Sequence, residues 1–185
     1  MASSPPTTAN RSRSSGAPAG GSAPPASGDG RWPQPGGIVL DDISKAIVEQ
    51  LQQDGRRSYA AIAKAVGLSE AAVRQRVQRL LEAGVMQIVA VTDPTTLGFL
   101  RWAMVGLRVD GDLSVVADKL AAIPEVDYVV ITAGSFDILA EVVCEDDAHL
   151  LRLLNDEIRA LPQVRATETF VYLRLAKQTY TWGTR

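Results

Sequence analysis

One cysteine and one histidine among 185 residues leave little room for metal or redox chemistry. Cys144 alone cannot close an intrachain disulfide, and His149, the single imidazole, has no companions at zinc-ligand spacing. No Ser/His/Asp set, cysteine–histidine pair or phosphate-binding glycine loop is present. The chain also lacks any apolar run near the roughly 18 residues of a membrane span, and its first residues lack the apolar stretch of a secretory signal. These absences predict a soluble cytoplasmic protein with no metal, no cofactor and no membrane partner.

Large apolar side chains are scarce in residues 1–37, MASSPPTTANRSRSSGAPAGGSAPPASGDGRWPQPGG. Such a composition cannot offset the entropy of ordering, which predicts a disordered Ser/Pro/Ala/Gly-rich tail. The net charge of −2 conceals a partition. The tail carries three arginines against one aspartate, residues 38–92 seven basic and six acidic groups, and residues 93–185 nine basic and fourteen acidic groups. An acidic C-terminal half is a poor partner for a polyanion, so any nucleic-acid binding is expected in the first half.

What is present in the first half is helical. Leu40, Ile43, Ile47 and Leu51 recur at spacings of three and four behind Asp41 and Asp42, which predicts a capped amphipathic helix to about Gln53, ended by Asp54-Gly55. Ser58 caps a short second helix whose apolar side is read as Ala61, Ile62, Ala65 and Val66. Gly67 stops that helix and Ser69 caps a third, and two helices across so short a glycine turn make a helix-turn-helix. On the third helix Val73, Val77 and Leu80 point inward, while Ala71, Gln75, Gln78, Arg79 and Glu82 point outward with Arg74 and Arg76 on the flanks. Small residues at its start allow close approach to a major groove, and Arg and Gln can make bidentate contacts to guanine and adenine edges. The candidate DNA contacts are Ser58, Ser69, Glu70, Ala71, Arg74, Gln75, Arg76, Gln78 and Arg79. A merely solvated polar face is the competing account of these side chains, and most contacts to DNA fall on phosphate.

The second half alternates strands and helices. VMQIVAVTD after Gly84 reads as a short strand leading to a linker at 93–99. LRWAMVGLRVD, VDYVVITAG, SFDILAEVVCE and VRATETFVYLRLAK read as four further strands, with helices opened by Asp112 and Asp146. The phrases AAIPEVDYVV and RALPQVRATE place Pro124 and Pro162 equivalently in two halves, so residues 100–185 are predicted to form a ferredoxin-like βαββαβ domain and the whole chain an α+β protein. Phe136, Ile138, Ala140, Val142 and Cys144 form one apolar face of the strand SFDILAEVVCE, with Leu139 and Val143 on the other. Helices cover one side of such a sheet, so the second apolar face predicts a homodimer.

LDDISKAIVEQLQQDGR, IAKAVGLSEAAVRQRVQRLLEAGVMQ and AGSFDILAEV together resemble the leucine-responsive regulatory protein/AsnC (feast/famine) family, over about three quarters of the chain from Leu40 to Tyr180. The third segment carries a Gly-x-x-Asp turn. The resemblance implies a transcriptional regulator of double-stranded DNA, with residues 38–92 as the DNA-binding domain and residues 100–185 as the effector-binding and oligomerisation domain. It further implies assembly to a tetramer or octamer and binding of an amino acid or related small-molecule effector beside Thr132, Ala133, Gly134, Ser135, Phe136 and Asp137. Exposed N–H groups of a glycine turn can hold a carboxylate and Asp137 can pair with an ammonium, although an aspartate in a turn often serves only its own backbone. Two rivals stand beside this reading. One is an architectural DNA-binding protein without an effector. The other is an enzyme like the tetrapyrrole decarboxylases of similar fold, for which the chain offers only His149 as an acid–base group.

Overall fold

A computed structural model describes residues 39–184; the expected tail of residues 1–37 lies outside them. Asp41 begins helix α1 (Asp42–Gln53) by accepting the Ser44 N–H. Ser58 and Ser69 do the same for α2 (Tyr59–Val66) and α3 (Glu70–Glu82), accepting the Ala61 and Ala72 N–H groups. Between α2 and α3 Gly67 takes φ 73°, a left-handed conformation that ends one helix so that the next can start at Glu70. Ile47, Leu51, Ile62, Ala63, Val73 and Val77 close one core, each large side chain contributing about 1.5–3 kcal/mol by burial. Ala63 replaces the expected Ala61 and Ala65, which are exposed, because at 100° per residue positions 62, 63 and 66 share a side.

The second unit is a four-stranded antiparallel sheet in the order β2-β3-β1-β4, made of β1 (Arg101–Val109), β2 (Val126–Ile131), β3 (Ile138–Cys144) and β4 (Val164–Val171). Helix α4 (Leu113–Ala121), capped by Asp112, and helix α5 (Asp147–Arg152), capped by Asp146, cover one face. Ala103, Val105 and Leu107 of β1 and Ile138, Ala140, Val142 and Cys144 of β3 are fully buried there against Val116, Leu120, Leu150 and Ile158. The element order and the helices on one side match the predicted α+β arrangement.

Several details differ. Residues 85–93 form no strand, and Ile88, Val89 and Val91 are exposed: apart from the Val85 N–H to the Leu80 carbonyl at 3.0 Å, the segment has no backbone partner among the described residues to pair with as a strand. The second, third and fourth strands are shorter than expected. In the last case, the Tyr172 N–H to the Trp102 carbonyl at 2.8 Å is the final link beyond β4. The final helix is not uniform, since a π-helical turn, Leu153–Ile158, follows α5 and carries the Arg159 N–H back five residues to the Leu154 carbonyl at 2.9 Å.

Phe136 is the largest correction. It precedes β3 and leaves the Ile138/Ala140/Val142/Cys144 face for the opposite one, where its ring lies on Gly106 of β1. A Cβ at Gly106 would stand 2.7 Å from Phe136 Cγ, so the ring occupies the space that a side chain would fill. The edge of Phe170 meets it at 6.0 Å between centroids, and the Arg108 guanidinium sits over it at 5.8 Å. Gly106→Ala is therefore expected to lower the unfolding free energy by about 1–3 kcal/mol in urea titrations, with part recovered when Phe136→Ala is added. A Gly106→Ala protein as stable as the parent would remove the ring from this role.

Candidate nucleic-acid interface and ligand turn

Because Val73, Val77 and Leu80 are buried, α3 turns Glu70, Ala71, Arg74, Gln75, Gln78 and Arg79 to the surface. Ser58 and Ser69, also exposed, spend their Oγ atoms on helix caps at 3.2 Å. Arg74 donates to Glu70 at 2.9 Å and stacks over the Tyr59 ring at 5.0 Å, so its guanidinium lies over the first turn of α3 and the start of α2 while remaining exposed. Gln78 donates to Glu82 at 2.8 Å. Gln75 and Arg79 have no side-chain hydrogen bond among the described residues and extend the same face.

Arg76 has a different place. Its Nη1 donates to Asp41 Oδ2 at 2.7 Å, to Oδ1 at 3.0 Å and to Ser44 Oγ at 3.0 Å, and its side chain is only 30% exposed. It ties α3 to the start of α1 and so positions the outer face. Hydrogen bonds from Ser44, then from Arg76, hold the Asp41 carboxyl down at about 2. Nothing in the sequence ties position 76 to position 41, because 35 residues, including all of α1 and α2, separate the pair.

The turn at 132–137 is built by backbone and by one carboxylate. The Thr132 N–H donates to the Asp137 carbonyl at 2.9 Å and the Thr132 hydroxyl to the Phe136 carbonyl. Asp137 donates its own N–H to the Leu107 carbonyl at 2.9 Å and accepts the Val109 N–H at Oδ2 at 2.8 Å, clipping the turn to the end of β1. Ala133, Gly134 and Ser135 are exposed, and the space where a Gly134 Cβ would lie is open. The six residues thus stand together, with one Asp137 oxygen already engaged.

Sequence reasoning missed a polar group on the outer sheet face. The Tyr172 hydroxyl donates to Glu141 Oε1 at 2.7 Å across 31 residues, and the Tyr172 ring meets Trp102 edge-on at 5.0 Å. Partial burial, then the Glu141 carboxylate, pushes Asp127 up to about 6; burial, then Glu141, raises the Tyr172 hydroxyl. A cleft of about 630 Å³ opens beside this group, lined by Trp102, Glu141, Tyr172, Arg174 and Lys177 among others. Neither this cleft nor the neighbouring ones of about 560 and 420 Å³ includes a residue of the turn. His149 places Nε2 3.2 Å from Glu125 Oε1 and accepts the Glu145 N–H at Nδ1 at 3.4 Å. Among the described residues no group of three His, Cys, Asp or Glu side chains is placed to hold a metal, and no helix is long and apolar enough to cross a membrane.

Comparison with known proteins places both units. Residues 40–81 match the AsnC-type helix-turn-helix domain, and residues 99–185 match a C-terminal dimeric alpha+beta barrel domain of AsnC-type regulators. The HTH-type transcriptional regulator FL11 of Pyrococcus furiosus is 35% identical over 143 residues, 76% of this chain and 94% of that protein. Among solved structures, the leucine response regulatory protein LrpA of Mycobacterium tuberculosis is 32% identical with a TM-score of 0.68, covering 75% of this chain and 96% of that one. AsnC of Escherichia coli is 25% identical with a TM-score of 0.66, covering 77% and 98%.

The Arg76 tie carries a pH dependence. A carboxyl held at about 2 in the fold, against an ordinary 3.8, contributes stability that is complete above 3.8 and is lost as the pH falls through about 2. Arg76→Ala is expected to lower Tm at pH 7, with the difference from the parent narrowing between pH 4 and pH 2. Equal melting at pH 7 would show that the contact does not hold α1 to α3.

Proposed function

Because this chain belongs to the AsnC/Lrp family of helix-turn-helix transcriptional regulators, and not to an enzyme family, we propose that α3 reads double-stranded DNA in the major groove. We propose further that an amino acid or related small molecule, read at residues 132–137, modulates that binding. The observation that carries the first part is the outward face of α3. Arg74, Gln75, Gln78 and Arg79 stand out from a helix whose start is small and whose inner stripe is buried, while Arg76 is spent on positioning. The boundaries proposed are a tail over 1–37, a DNA-binding unit over 38–92, a linker over 93–99 and a regulatory unit over 100–185. The molecule is proposed to act in the cytoplasm as a dimer closed through the outer sheet face, with half-sites about 10 bp or a multiple apart, and to assemble further to a tetramer or octamer.

Support for the effector comes from the exposed, open backbone of Ala133, Gly134 and Ser135, and from the relative named for its response to leucine. The rival reading, regulation without an effector, draws on the Asp137 oxygen already given to Val109 and on clefts that do not include the turn.

Arg74→Ala and Arg79→Ala are each expected to weaken operator binding by about 1–3 kcal/mol where the contact is to a base, and by a smaller, sequence-independent amount where it is to phosphate. A doubly substituted protein binding operator like the parent across a salt titration would end the assignment. For the effector, a thermal-shift screen against the amino acids should give at least one stabilising ligand whose effect is lost in Gly134→Val. No shift with any of them would favour the effector-free reading.

A further inference from the structure

The chain beyond β4 does not hang free. It leaves the sheet at Tyr172, lines two of the clefts with Leu173, Arg174, Leu175 and Gln178, and reaches α1 of the DNA-binding unit at Gly183 and Thr184. There the Gly183 N–H donates to Gln52 Oε1 at 3.0 Å. The Thr184 N–H at 3.3 Å and the Thr184 hydroxyl at 2.5 Å both donate to Glu49 Oε1. Glu49 and Gln52, three residues apart, lie on one face of the helix, so two successive backbone N–H groups meet two acceptors set at matching spacing. The hydrogen bonds to Glu49 are charge-assisted and partly buried, which makes them the stronger kind. Gly183 adopts φ 75°, a left-handed turn that aims both amides at the helix and that an L side chain would strain.

We propose that the Glu49/Gln52 face of α1 is the docking site of this chain's own C-terminal segment, and that the contact couples the sheet to the DNA-reading helix. The route is continuous. The segment holds α1, α1 packs Ile47 and Leu51 into the core that holds Val73 and Val77 of α3, and Asp41 at the start of α1 grips Arg76 of α3. With the segment docked, each DNA-binding unit keeps a set direction relative to the sheet. With it released, the linker alone joins the two, and the cost of ordering them returns at the moment of DNA binding. The coupling rests on α3 being the DNA-reading element, whereas the docking does not, so the two are read separately.

Amide hydrogen exchange on the full-length protein reads the docking. Gly183 and Thr184 should be protected in the parent and exchange at least 10-fold faster in Glu49→Ala with Gln52→Ala, while Glu49→Gln, which keeps an acceptor oxygen, retains protection at both amides. Operator titration reads the coupling. The doubly substituted protein should bind operator 3- to 10-fold more weakly with an unchanged salt slope, because no phosphate contact has been removed. Gly183→Val with Thr184→Val leaves α1 unaltered and should give the same loss, which separates undocking from damage to the helix. Free-peptide exchange at Gly183 and Thr184 in the parent overturns the docking, and parental operator affinity in both variants overturns the coupling. Failure of the α3 assignment itself would show in the Arg74 and Arg79 substitutions instead.

Discussion

One carboxylate sets the geometry of the DNA-binding unit. Asp41 accepts the Ser44 N–H at 2.8 Å, which starts α1, and the Arg76 guanidinium at 2.7 Å, which fixes α3 against it. The apolar core beneath, Ile47 and Leu51 against Val73 and Val77, supplies most of the favourable free energy but no direction, since burial is indifferent to angle. Direction comes from the polar node, and Ser44, the one buried polar residue among those described, completes it by accepting from Arg76 at 3.0 Å. The outer face of α3 is presented as a consequence of what its inner flank grips.

A second constraint is that the sheet has two faces and one set of helices. The inner face is sealed by residues of zero exposure on β1 and β3. The outer face mixes Trp102, Met104, Leu139 and Phe170 with Glu141, and adds the Tyr172–Glu141 hydrogen bond and a buried Trp102 Nε1 that has no partner among the described residues. A second copy laid over this face would desolvate Glu141 and Asp127 further. It would have to bring donors to both carboxyls, so such a closure would be selective in a way that a purely apolar face would not be.

Much of this was legible in the sequence, and the residues show why. Ser58, Gly67 and Ser69 announce their local roles because a cap or a left-handed turn depends on a few neighbours, and all three act as read. The repeated phrases around Pro124 and Pro162 and the alternation in β3 gave the order of strands for the same reason. Phe136 failed because continuing the alternation two residues past Ile138 assumes that the strand continues, whereas the turn releases the ring to fill the space above Gly106, a partner 30 positions away. Arg76 and Tyr172 were illegible on the same ground, since their partners Asp41 and Glu141 lie 35 and 31 residues distant and no local pattern encodes them. The segment 85–93 shows the reverse case: its strand-like pattern is real, but a strand needs a neighbour as well as a pattern.

The charge partition limits what one copy can offer a polyanion. Residues 38–92 hold seven cations against six anions, and Arg76 is already paired with Asp41, while residues 93–185 are acidic by five. With each neutralised phosphate adding only about 0.9 to the salt slope, one copy of the DNA-binding unit has few contacts to offer and a repulsive neighbour besides. In the proposed dimer, geometry would add to that. Two such units held at a set separation turn the second encounter into an intramolecular one, and the gain depends on how well the span between them is fixed. On the proposed reading, the outer sheet face that would join two copies, and whatever holds each helix-turn-helix in line with its sheet, would be as much a part of DNA recognition as the arginines proposed to read the groove.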